Sequence, residues 1–285
     1  MSSNSGNVTV GRAARKVSRR KRALILAAAV AGIGLWAGRA PADDFNWTGA
    51  SGIDQKWSTS TNWNPNGVPG NGLAPPDMAV FGDPTDFGDV TGTQTVILDY
   101  DQRGVFHQMK ELHFLDSAPG STGAWVLDAL TPASPEYVRF TFPAVIRVTD
   151  TTATIKTGIE SYYDTLQKLG NGTLILDPQA QLDLGSNYFD IKEGTVQFST
   201  DVFTSAWSVV RLGDPLGGAS PSATLQYTGA AALNFGRLQY INANTDKGGI
   251  IKVDNAAASL NLTSTISNAG AGGSGLTTDV ALTKQ

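Results

Sequence analysis

The feature that most constrains the fold is a pair of short alternating segments, Gly172-Thr173-Leu174-Ile175-Leu176 and Gly194-Thr195-Val196-Gln197-Phe198. Alternate residues of a strand point to opposite faces. Leu174 and Leu176 therefore share one face, as do Val196 and Phe198, with Thr173, Thr195 and Gln197 opposite. The two Gly-Thr pairs stand 22 residues apart (195 minus 173). A helix-period pattern is absent from both. A spacing of this size suits an architecture in which each repeat is one structural unit stacked on the next.

The alternation continues downstream in apolar-polar-apolar triplets: Val210-Arg211-Leu212, Leu225-Gln226-Tyr227, Leu238-Gln239-Tyr240, Ile251-Lys252-Val253 and Leu260-Asn261-Leu262. Turn residues separate them, among them Gly213-Asp214-Pro215 and Asp246-Lys247-Gly248-Gly249. Each strand carries one apolar face, which fits an inside that is dry and an outside that is wet. Upstream, Trp125-Val126-Leu127, Tyr137 to Phe142 and Val145 to Val148 form shorter runs broken by Pro132, Pro135 and Pro143. With 32 Gly and 16% charged residues, the composition also favours many strands and turns over helices.

The stretch from Lys168 to Val196 resembles the autotransporter-associated beta strand repeat. That family's pattern is carried here by Lys168, Gly170, Gly172, Thr173, Leu174 and Leu176, then Asn187-Tyr188, then Gly194, Thr195 and Val196. Phe189-Asp190-Ile191-Lys192 replaces the Gly-Gly-Thr-Thr run that often follows the Asn-Tyr element. Leu212-Gly213 and Ile266-Ser267 match, in order, elements that separate one repeat from the next in that family. The resemblance implies an all-β right-handed parallel β-solenoid and a passenger-type protein followed by a translocator barrel or a sorting signal. The last 25 residues show neither the alternating strands of a barrel nor a terminal apolar helix. Ala281-Leu282-Thr283-Lys284-Gln285 parallels the residues just before Gly170, which leads to the expectation of an N-terminal portion of a longer protein.

Residues 1–42 read as an export signal. The basic segment ends at Arg22, an Ala-rich apolar run spans Ala23 to Ala37, and Ala40-Pro41-Ala42 supplies the small residues a signal peptidase reads. The run is shorter than the ~20 residues a membrane-spanning helix needs. Ser18-Arg19-Arg20 hints at the twin-arginine route, although Arg22 stands where that signal usually has Phe. All eight basic residues before Asp43 lie in this segment. The remaining 243 residues (285 minus 42), 43–285, hold 13 Lys and Arg (21 minus 8) against 25 Asp and Glu, a net of −12. Such an acidic body repels phosphate backbones and argues against nucleic acid as a partner.

Residues 43–101 are rich in aromatics and turns: Phe45-Asn46-Trp47-Thr48-Gly49, Lys56-Trp57-Ser58 and Thr61-Asn62-Trp63 lead through Pro69, Pro75 and Pro76 to Ala79-Val80-Phe81. This segment resembles the one often found at the mature N-terminus of proteins carrying such repeats. Two readings follow. Trp47, Trp57 and Trp63 form a cap over the first open unit, or they form an exposed platform that stacks on sugars. The sequence favours the cap. Residues 102–285 are assigned to the solenoid, with the repeat beginning near 166.

No catalytic, cofactor-binding or metal-binding residue is expected. Asp83, Asp86 and Asp89 lack the alternate-residue spacing of a calcium loop, and His107 and His113 lie ~20 Å apart if on one strand. Asp99 and Asp101 could form a same-face carboxylate pair for glycoside hydrolysis, but alternation alone would put both on the wet face. Asp183, Asp190 and Asp254 read as strand-end or turn residues. There is no Gly-x-Ser-x-Gly elbow, phosphate loop or His-Glu-x-x-His, and cysteine is absent. The expectation is an exported surface or extracellular structural or adhesive protein without chemistry of its own. A carbohydrate-binding module and a polysaccharide-degrading enzyme are the alternatives. Glycans are the expected partners, and a membrane is involved only through export or a downstream anchor.

Overall fold

The structure is a computed structural model that describes residues 44–50, 52, 54–70, 76–82, 92–102, 109–116, 123–133, 135–161, 164–213, 222–241 and 249–268. The expected export signal, the Asp83, Asp86 and Asp89 loop, His107 and residues 281–285 lie outside the described residues.

The described chain is all-β, with one short 3-10 turn at Ser60–Asn62. In chain order the strands are β1 (Asp44–Trp47), β2 (Trp63–Asn64), β3 (Asp77–Phe81), β4 (Thr93–Leu98), β5 (Met109–Leu115), β6 (Ala124–Ala129) and β7 (Tyr137–Thr149). They continue as β8 (Thr152–Ile155), β9 (Gly158–Glu160), β10 (Leu166–Leu169), β11 (Thr173–Leu176), β12 (Gln181–Asp183), β13 (Tyr188–Ile191) and β14 (Gly194–Phe198). The remainder are β15 (Val209–Leu212), β16 (Ala223–Tyr227), β17 (Leu233–Phe235), β18 (Leu238–Ile241), β19 (Ile250–Val253), β20 (Leu260–Leu262) and β21 (Ser267–Asn268).

Two long parallel sheets dominate. The first runs β2-β1-β3-β5-β7-β10-β13-β15-β18-β21, and the second runs β19-β16-β14-β11-β8-β6-β4. A third set of short ladders joins β7 to β9, β9 to β12, and β17 to β20, and an isolated bridge pairs Leu182 of β12 with Phe203. From β7 onward the chain visits the first sheet, the second and the third in turn: β7, β8, β9; then β10, β11, β12; and later β15, β16, β17 and β18, β19, β20. Every described pairing is parallel except that of β1 with β2, which lies at the edge of the first sheet.

The registers explain the sequence pattern. In the second sheet Thr152, Thr173, Thr195 and Thr224 occupy one row, at separations of 21 (173 minus 152), 22 (195 minus 173) and 29 (224 minus 195). These threonines are half-buried on the outer side. The next row points inward and reads Trp125, Ala153, Leu174, Val196, Leu225, and the next but one reads Leu127, Ile155, Leu176, Phe198, Tyr227, all buried. A register held constant along each strand pair keeps every inward side chain over an inward side chain, because a one-residue slip would turn every Leu outward. Each such buried aliphatic contributes roughly 1.5–3 kcal/mol relative to exposure.

The hydrogen-bonded ladders cross residue 101 unbroken: β3 pairs with β5, and β4 with β6. Strands β1, β3 and β4, from the aromatic-rich segment, therefore pair into the same two sheets as the later strands, with the antiparallel β1–β2 pair at the edge. Tyr240 departs from the alternation read in the sequence. A bulge between Val210 and Arg211 pairs Val210 with Leu238 but Arg211 with Tyr240, so Tyr240 faces outward with Arg211 while Ile241 takes the buried position.

Candidate functional site

The repeat residues converge on a stacked corner where the chain leaves the first sheet for the second. Lys168 lies on β10 in an inward row that otherwise reads Phe45, Ala79, Leu112, Ile146, Ile191, Leu212 and Ile241. It is fully buried. Its ammonium satisfies its donors on backbone, giving hydrogen bonds to the carbonyls of Leu169 at 3.0 Å, Gly170 at 2.7 Å and Glu193 at 3.0 Å. The Glu193 carboxylate, in return, accepts the Gly170 N–H at 2.7 Å. Lys168 thus ties its own corner to the one above it.

Three glycines make room for this stacking. Gly170 and Gly194 have φ of 79° and 66°, in the region that L side chains avoid. A Cβ on Gly170 would sit 2.3 Å from the Val148 carbonyl oxygen, and one on Gly172 would sit 2.5 Å from that of Thr151. Thr173 N–H then donates to Thr151 O at 3.0 Å, and Thr195 N–H to Gly172 O at 3.2 Å. Beside them the Asn171 amide nitrogen donates to Asp150 at 2.6 Å, and Asp150 N–H donates back to the Asn171 side-chain oxygen at 3.0 Å. The Gly170-to-Thr173 and Gly194-Thr195 elements are therefore corners, each resting on the backbone of the preceding corner.

Burial pushes the Lys168 amine down to about 7; Glu193 opposes that shift and Arg147 adds to it. An amine in that range could serve as a base or nucleophile elsewhere. Here its contacts are main-chain carbonyls inside the core, so the arrangement builds the corner.

Trp47, Trp57 and Trp63 are buried, and they meet Phe81 in one cluster. Trp47 and Trp57 each approach Trp63 edge-on with ring centroids 5.0 Å apart, and Phe81 stacks on Phe114 at 4.9 Å. Trp57 Nε1 donates to Pro69 O at 3.1 Å, and Trp63 Nε1 to Trp57 O at 2.8 Å. None of the three leaves a ring face exposed. The parallel row Trp47, Phe81, Phe114, Val148 draws aromatic area inside, so these rings are packed against one another rather than laid open.

The other polar residues singled out in the sequence are dispersed. β4 ends at Leu98, so Asp99 and Asp101 do not share a strand face; Asp99 accepts hydrogen bonds from Ser58 N at 3.0 Å and Ser58 Oγ at 2.6 Å. His113 contacts Glu111 at 2.6 Å on the outer face of β5, and burial lowers its pKa against the opposing pull of that carboxylate. Asp254 accepts from Gln226 and pairs with Lys252 at 3.1 Å. Among the described residues no three acidic or histidine side chains form a set that could hold a metal ion.

Asp190 is more than a turn residue. It lies buried on β13 and holds Arg211 of β15 through both oxygens, at 2.5 Å to Nε and 2.6 Å to Nη2. The Arg211 guanidinium carbon lies 4.0 Å from the Tyr188 ring centroid, and the Tyr188 and Tyr240 rings are 6.4 Å apart. Nearby in the chain, Trp207 is 76% exposed. Sequence reading passed over it, although an aromatic flanked by Ala206 and Ser208 within a turn is a recognisable outlier to the alternation.

No family model, curated protein or solved structure matches this chain.

Proposed function

We propose that the chain forms a right-handed parallel β-solenoid whose role is structural or adhesive, displayed outside the cell after export, and that it carries no catalytic activity. The observation that carries this reading is the stacked corner, in which Lys168, Gly170, Gly172 and Gly194 let one turn of chain rest on the last. Right-handedness follows from the strong general preference of crossover connections between parallel strands. A rod built this way presents long regular outer rows while its inward residues are committed to packing, an arrangement suited to display and contact. The basic and apolar order of residues 1–42 supports export. The resemblance of the Lys168-to-Val196 stretch to autotransporter-associated repeats supports a surface passenger.

The test is fractionation of cells expressing the full-length chain with a C-terminal tag, combined with incubation of the purified protein with neutral and uronic polysaccharides. Recovery of processed protein outside the cytoplasm, with no rise in reducing ends or unsaturated products, is the expected outcome. Turnover of a glycan, or retention of an unprocessed chain in the cytoplasm, overturns the reading.

A further inference from the structure

On the outer face of the first sheet, β13, β15 and β18 bring together an aromatic and arginine cluster that the corner and the core do not use. We propose that Tyr188, Arg211 and Tyr240, with Trp207 beside them in the chain, form a binding site for a neutral glycan. The inference rests on the adhesive reading and gives it a ligand class.

The cluster is held firmly. Arg211 is fixed in two ways, by the Asp190 carboxylate through Nε and Nη2 and by the Tyr188 ring beneath its plane. A guanidinium carries five N–H donors, and the fork to Asp190 engages Nε and Nη2. Tyr188 and Tyr240 are half-buried neighbours on this face, each with a phenol that can donate and accept. The bulge at Gln239 turns Tyr240 outward here, where regular alternation would have buried it.

Trp207 lies two residues before Val209, the register partner of Tyr188, so it precedes β15 at the end where Tyr188 begins β13. The turn carrying it is closed by Ser208 N–H to Ser205 O at 3.4 Å and by Trp207 N–H to Ser205 Oγ at 3.3 Å. Arg237 also clamps this turn, donating to Ser205 O at 2.6 Å and to Phe203 O at 3.4 Å. These bonds hold the backbone of the turn while most of the indole surface lies in water, where its apolar face is open to a partner.

The chemistry points to a neutral sugar. A pyranose offers an apolar face that an indole or phenol ring can cover and a rim of hydroxyls that phenols and a guanidinium can meet. A polyanion is disfavoured twice: Asp190 already neutralises Arg211, and residues 43–285 carry a net of −12. An apolar peptide helix is poorly matched to a face that carries an ion pair and two phenols.

The test uses the full-length protein, an array of neutral and uronic oligosaccharides, and calorimetry on the array's hits. Wild type should bind at least one neutral oligosaccharide. Trp207→Ala should weaken it about tenfold, corresponding to about 1.4 kcal/mol, and Tyr240→Phe should weaken it several-fold, with both variants melting as wild type does. Absence of any neutral-sugar binding, preference for uronic chains, or undiminished binding by Trp207→Ala overturns the site. So does a result in which Trp207→Ala abolishes self-association seen in light scattering while leaving sugar binding unchanged. Fractionation of the same variants separates the two claims, because export and display should be indifferent to Trp207.

Discussion

Gly194→Ala is the sharpest test of the stacked corner. At φ 66° an alanine pays the left-handed penalty of roughly 1–2 kcal/mol, partly offset by the lower entropy of its unfolded chain. Its Cβ would also lie 2.5 Å from the carbonyl oxygens of both Gly170 and Gly172. Those oxygens are already engaged: Gly170 O accepts from Lys168 Nζ at 2.7 Å, and Gly172 O accepts from Thr195 N–H at 3.2 Å. Relieving the contact means moving a corner and weakening both bonds, which adds roughly 2–3 kcal/mol on top of the dihedral term. Gly49→Ala is the matched control, with φ 58° and only an ordinary 3.5 Å contact to Trp47 Nε1. It should cost about 1 kcal/mol. A chain of this size loses roughly 2–4 °C of Tm per kcal/mol. Gly194→Ala should therefore melt roughly 8–15 °C below wild type by circular dichroism, and Gly49→Ala only about 3 °C below. Equal melting of the two variants would refute the claim that corners rest on one another through Gly194.

Three further outcomes follow from the inward rows. Leu174→Asp should lose several kcal/mol in urea unfolding, because its carboxylate would lie unpaired between Ala153 and Val196, whereas Thr173→Asp on the outer row should stay within about 1 kcal/mol of wild type. Lys168 has a folded pKa of about 7, below its ordinary 10.5, so between those values the unfolded chain binds more protons. Wild-type stability should accordingly rise with pH from about 7 towards 10, by at most about 1.4 kcal/mol per pH unit, and Lys168→Met should lack that component of the slope. Trp57→Ala should lose about 3–5 kcal/mol, read as early loss of near-ultraviolet ellipticity from the Trp47, Trp63 and Phe81 cluster.

What was legible in the sequence depended on how many inward residues a strand contains. β11 and β14 each place two large apolar residues inward, Leu174 with Leu176 and Val196 with Phe198, and two points suffice to reveal a period of two. β12 has a single inward residue, Leu182, and its strand could not be told from a loop, so the third ladder was invisible. The Leu166-to-Ser199 stretch reads as two strands around a polar connection but folds as five, because β13 opens with Tyr188 and carries a buried Asp190 that hydropathy assigns to the surface. Tyr240 failed for a different reason. A bulge shifts the count by one, and nothing in Leu238-Gln239-Tyr240-Ile241 announces where the extra residue falls.

Lys168 shows most clearly what a pattern can and cannot carry. The motif marks its position and alternation puts it on the face of Leu166, but its residue type would place a lysine on the wet face. In the structure Leu166 and Lys168 share the inner face and Leu169 is turned outward. The inversion is local and has a local cause. At the corner three carbonyls lose their strand partners as the chain turns, and inside a dry stack they require a donor with reach and more than one hydrogen. An ammonium on a four-carbon stem meets that demand from an inward position, with its methylenes covered by Ile146 and Ile191 on the neighbouring strands. The glycines and the lysine are thus one device. Gly170, Gly172 and Gly194 bring backbones close enough to stack, and the close approach creates the buried carbonyls that Lys168 satisfies.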